Sequence, residues 1–124
     1  GVTISGTVFA FTGADIKSLV SFYSETHPDD ALAQILRPTL ENLVAPFEPS
    51  PYISGLKSEF LILSAQDDQV FPKKSTEALI RVTPDPKQVI YISGNHIGLG
   101  QKERIRQSLM TIKQWLVEKQ KANP

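Results

Sequence analysis

Cysteine is absent from all 124 residues, which excludes a disulfide framework, a thiolate-held metal and a cysteine nucleophile. That leaves the compartment open, with the cytoplasm as the default expectation. Neither sign of charge is in excess, because thirteen basic residues face thirteen acidic ones. No net field therefore draws the chain to nucleic acid or to an anionic membrane surface. No run approaches the roughly 20 apolar residues of a membrane-spanning helix, and the opening stretch to Phe11 lacks the basic flank of a signal peptide. A soluble protein is expected. There is also no internal repeat, no low-complexity segment, no phosphate-binding glycine loop and no metal-ligand helix motif, so neither a cofactor nor a metal is expected. What remains is a small-molecule site.

The size and the 40% hydrophobic content suit one globular domain, able to bury about two-thirds of the surface its unfolded form exposes. Val2 to Phe11 is rich in β-branched and aromatic residues and nearly continuous in apolarity, the pattern of a strand covered on both faces. Asp15 can cap a helix carrying Ile16, Leu19, Val20 and Tyr23. A second helix starts at Pro28-Asp29-Asp30, is interrupted at Pro38 and restarts there to run through Leu40, Leu43 and Val44. Pro46, Pro49 and Pro51 stiffen a connector to Gly55. Residues 15–55 thus read as small helices inserted between two strands.

Glu59 to Ser64 is a short apolar run of the central-strand kind, and Gln88 to Ile92 gives a third strand. Between them Pro72 to Val82 fits a helix, ended by Pro84-Asp85-Pro86. Gln101 to Lys119 closes the chain as an amphipathic helix, with Ile105, Leu109, Ile112 and Leu116 spaced to share a face and Lys102, Arg104, Arg106, Lys113, Lys119 and Lys121 as its solvated side. The alternation predicts an α/β fold with a parallel sheet, right-handed crossovers and helices on both faces.

In such a sheet functional groups gather at the carboxyl ends of the strands. Two loops qualify: Ser64 to Pro72 after the second strand and Ser93 to Gly98 after the third. If those strands are neighbours, Asp68 and His96 project from adjacent loops, as an acid orienting a base. The bland readings stand beside this one. Asp68 could be a turn former, Asp67 could take either role, and His96 could be a plain loop histidine. His27 reads as surface or cap. Phe22, Tyr23 and Phe47 could line a substrate pocket, though core packing is the simpler expectation; Trp115 reads as packing.

Ala65-Gln66-Asp67-Asp68-Gln69-Val70-Phe71-Pro72 and Gly94-Asn95-His96 resemble the end of the α/β-hydrolase fold. There a small residue, two variable positions, Asp, two more positions, an apolar residue and Pro follow the penultimate strand, and Gly-x-His follows the last. The helix ending in Gln114-Trp115-Leu116 resembles the closing helix of that family. Glu48-Pro49 through Tyr52-Ile53 is similar to the approach to the acid-bearing strand in esterase and dienelactone-hydrolase-like members. The resemblance implies that residues 1–124 are the C-terminal portion of one α/β-hydrolase domain, with 15–55 as a short helical cap. It implies Asp68 and His96 as acid and base of a Ser-Asp-His triad.

The family's serine sits on a Gly-x-Ser-x-Gly elbow upstream of both, and no such elbow occurs here. With no initiator methionine before an apolar, β-prone opening, the chain reads as cut from something longer. The nucleophile is then expected on an N-terminal part of the same hydrolase, the implied partner, with a small-molecule ester as substrate. The piece alone is expected to be inactive and, through its uncovered first strand, to aggregate, form a homodimer or stay bound to that part. Dehalogenation or acyltransfer on the same fold, and a non-catalytic α/β binding module, are the rival readings.

Overall fold

The computed structural model describes residues 6–98 and 100–122. Strand β1 (Gly6–Ala10) leads to helices α1 (Ile16–Thr26) and α2 (Ala31–Val44), a single 3₁₀ turn (Ala45–Phe47) and the short α3 (Ser50–Ile53). Strand β2 (Glu59–Ala65), helix α4 (Lys73–Val82), strand β3 (Lys87–Ile92) and helix α5 (Lys102–Ala122) complete the order. Positions 2–5 of the expected first strand lie outside the described residues. The three strands form one parallel sheet in the order β1-β2-β3, with Val8 opposite Leu61 and Ile62 opposite Val89.

The middle strand needs no alternation, because both of its faces are covered. Leu61 and Leu63 point to α5 and pack on Trp115 and Ile112. Ile62 points the other way, into a cluster with Ala78 and Leu79 of α4, Ile53 of α3 and Ala14. Phe60 to Ala65 are all buried. Period-two side-chain direction thus splits one apolar run between two cores.

Three expectations about the helices are corrected. First, α2 passes through Pro38 without a break. Proline removes the bond to the carbonyl four residues back, but Gln34 and Pro38 both face solvent, so water can take that carbonyl. Arg37 and the Ser21 hydroxyl meet Glu41 at 2.8 and 2.9 Å, tying α2 to α1 and holding the Glu41 carboxyl below the ordinary range.

Second, the buried stripe of α5 runs through Ser108 and Trp115, leaving Leu109 60% and Leu116 42% exposed. Each leucine lies one residue, about 100° of rotation, beyond a stripe residue. The indole sets the rotation, and Gly6 makes room for it, since a Cβ there would stand 3.0 Å from the Trp115 ring. Two of the supposed solvated cations also turn inward. Lys119 pairs with Glu59 and lies over the Trp115 ring at 5.9 Å, while Arg104 is largely covered.

Third, Tyr23 and Phe47 are not core: they are 50% and 72% exposed, with Phe22 only partly buried. Neither helix of the α1–α2 pair buries a large side chain: the one buried residue of α1 is the small Ser24, and α2 has none. Trp115 does pack in the core, and His27 ends α1 at the surface, stacked on Tyr23 at 4.3 Å.

The proline connector is organised by one carboxylate. Glu48 accepts from the amides of Ile16 at 2.8 Å and Asp15 at 3.1 Å, and from the Ser50 amide at 3.1 Å and its hydroxyl. It serves the first turns of α1 and α3 at once, where orphan amides and the positive dipole end favour an anion. Burial pushes the Glu48 carboxyl up, but the Ser50 hydroxyl and the Ile16, Asp15 and Ser50 amides outweigh it and hold it below its usual value of 4.5. A lowered folded value means stability present above the unfolded value and lost as pH falls through the folded one. Glu48→Gln is expected to cost about 1–2 kcal/mol near neutrality, with the gap to wild type closing on acidification. Urea midpoints at neutral pH and at acid pH check this; a gap that stays constant would remove the charge from the explanation.

Candidate active site

The sheet ends in three loops on one edge, and each sends a side chain to the same place. Asp68 leaves the β2 loop with its side chain only 5% exposed, and its Oδ2 lies 2.9 Å from Nδ1 of His96 from the β3 loop. Asp67, the rival in register, is exposed; its backbone amide donates to the Gly94 carbonyl at 3.0 Å, and its carboxylate makes no hydrogen bond among the described residues. The turn-forming role falls to Asp68 as well, whose Oδ1 accepts from the amides of Val70 and Phe71, each at 2.8 Å. One oxygen holds the loop and the other meets the histidine.

The two loops are joined beyond the strands. Gln66 donates its amide to the Ile92 carbonyl at 2.9 Å, and Asn95 Oδ1 accepts from the amides of Gln69 at 2.8 Å and His96 at 2.7 Å. The imidazole is wedged between two rings. Phe71 tilts against it at 5.6 Å and Phe11 meets it edge-on at 6.3 Å. Phe11 was expected to finish the first strand; instead it turns out of it with φ of 52°, a left-handed conformation a bulky residue seldom adopts, while its amide still bonds the Leu63 carbonyl at 2.8 Å. The third loop therefore contributes an apolar wall.

With Nδ1 facing a carboxylate, the neutral imidazole carries its proton on Nδ1 and leaves Nε2 as acceptor. Nε2 has no hydrogen-bond partner among the described residues, and His96 is 26% exposed on its side chain. That is the arrangement of a base whose working nitrogen is reachable from outside. A groove of about 510 Å³, walled by Ser64, Gln66, Phe71, Thr76 and Tyr91, borders Asp68 but not His96, so a reacting atom at Nε2 would lie outside it.

The residues that sequence reasoning passed over are Phe11, Phe71 and Glu48. Phe71 was present only as the apolar position before Pro72. Phe11 carried no signal of its turn, since a positive φ is normally announced by glycine or asparagine. Among the described residues no helix is long and apolar enough to cross a membrane, and no cluster of three or more His, Asp or Glu could hold a metal. What fold and site define is an α/β chain with a parallel sheet and a carboxylate–imidazole pair at adjacent strand ends. No family model, curated protein or solved structure matches the chain.

Proposed function

We propose that the chain supplies the acid and base of a serine hydrolase of esterase or thioesterase type, within an α/β-hydrolase fold whose nucleophile lies outside these 124 residues. The observation that carries the reading is the 2.9 Å contact from Asp68 to Nδ1 of His96, with no hydrogen-bond partner for Nε2 among the described residues. His96 takes the proton of a serine hydroxyl and returns one to the leaving group, while Asp68 fixes the tautomer and stabilises the imidazolium. Phe11 and Phe71 keep water from the flanks of the ring. The open edge of β1 and the exposed Leu32, Ile35 and Leu43 of α2 suit association with the nucleophile-bearing part.

A fluorophosphonate probe tests this. The 124-residue chain is expected to take up none, and the chain expressed with its preceding coding sequence is expected to be labelled at one serine and to hydrolyse a short-chain ester. Labelling that survives Asp68→Asn and His96→Ala unchanged would sink the reading. An aspartate in the nucleophile position would move it to dehalogenase chemistry.

A further inference from the structure

We propose that Arg104 is a positioning residue for His96, seating the loop that carries it at a cost to the stability of the fold; the functional meaning of the seat rests on the acid–base reading above. An ideal Cβ on Gly94 would stand 3.3 Å from Cζ, 3.4 Å from Nη2 and 3.5 Å from Nη1 of Arg104. Near-equal distances to three atoms of one plane mean that Gly94 lies over the face of the guanidinium. Gly94 has φ of +94°, which a side chain would resist, so the loop comes down on the cation only because that position is glycine.

From there the path to the base is short. The Gly94 carbonyl is held by the Asp67 amide at 3.0 Å, and the His96 amide is held by Asn95 Oδ1 at 2.7 Å. Gly94 is thus pressed between α5 below and the acid loop beside it, two residues before the imidazole.

Arg104 is left short of partners there. Its Nη1 donates to Gln101 at 2.6 Å, but Nε and Nη2 are buried with no acceptor among the described residues. A partly buried guanidinium with two covered donors unmet gives up hydration without return, and an apolar side chain of similar length in its place is commonly neutral or stabilising. Local choices that work against the fold are expected where function requires them.

This contrast gives the test. In the ¹⁵N-labelled full chain, the Nδ1 proton of His96, assigned by its loss in Asp68→Asn, reports whether the ring is seated. Arg104→Met is expected to leave the melting temperature unchanged or raise it by about 2–5 °C. The same variant is expected to speed exchange of the Nδ1 proton with water by about tenfold. Arg104→Lys keeps the charge without the plane and is expected not to restore the slow exchange.

Arg104→Leu, a second apolar replacement, should give the same loss, which keeps the proposal testable if Arg104→Met does not fold. Unchanged Nδ1 exchange in Arg104→Met, full rescue by Arg104→Lys, or a fall in melting temperature that accounts for the faster exchange would each overturn it. None of these readouts requires hydrolysis, so a chain that fails the fluorophosphonate test can still pass this one, and the reverse.

Discussion

Under the hydrolase reading proposed above, Asp68→Asn is expected to lower turnover about 10⁴-fold, the loss this change produces in a Ser-His-Asp hydrolase through the wrong histidine tautomer. At about 1.36 kcal/mol per factor of ten, that is roughly 5 kcal/mol of transition-state stabilisation. The geometry explains why asparagine is the informative substitution. Its carbonyl can keep the place of Oδ1, accepting from Val70 and Phe71, so the loop is retained. Its NH₂ then replaces Oδ2 and presents donors to Nδ1. The imidazole must offer a lone pair there and carry its proton on Nε2, where it can no longer accept from a serine. Asp68→Ala confounds this by releasing the two amides as well. Turnover of a short-chain ester, with circular dichroism to confirm the fold, decides it: an Asn variant within tenfold of wild type would mean that the contact is structural.

The largest effect on stability is expected at Gly13. A Cβ there would lie 2.1 Å from the Ser75 hydroxyl oxygen, 3.0 Å from the Ser75 Cβ and 3.1 Å from the Phe71 ring. Ser75 cannot swing aside freely. It is buried, its hydroxyl donates to the Ala14 carbonyl, and its own carbonyl accepts from the Ala14 amide at 3.0 Å. Gly13→Ala therefore forces the β1 loop off the start of α4. The expected loss is about 2–3 kcal/mol, or roughly 8–12 °C in melting temperature for a domain of this size. Gly55→Ala is the control, because its Cβ would find nothing closer than 3.8 Å. In a Ser75→Ala background the penalty should shrink, since the nearest atom is gone, and the two changes should not add. A Gly13→Ala variant that melts with wild type would show that the loop is not held where it is described. The strain would also reach the site, because Phe71 flanks His96.

Glu59 to Ser64 was legible because a strand covered on both faces has nowhere to put a polar residue, and its run Phe60 to Leu63 obeys that without help from the rest of the chain. Gln88 to Ile92, an edge strand with Gln88 and Tyr91 exposed, was legible from its β-branched and aromatic content instead. Asp68 and His96 were legible for a topological reason: residues just past two adjacent parallel strands must share an edge. The rotation of α5 was not legible. Leu109 and Leu116 repeat as regularly as Ser108 and Trp115, and only the fit of the indole against Leu61, Leu63 and Gly6 chooses between the stripes. Pro38 misled because whether proline breaks a helix depends on what its orphaned carbonyl faces, and that is tertiary. Glu48 was hidden because its partners on α1 are 32 and 33 positions away. The Arg104 guanidinium was hidden because one cation among six on a helix carries no mark of which is buried.

The bonds that continue the β2–β3 ladder past its ends have a consequence for how the molecule opens. Gln66 to Ile92, Asp67 to Gly94 and Gln69 to the Asn95 side chain cross between the loop of Asp68 and the loop of His96 just past the strands. A local fluctuation that freed His96 would have to part this extension of the ladder, and its next bonds are those of the buried central strand. Asp68 and His96 are therefore expected to sit in one cooperative unit, gained and lost together.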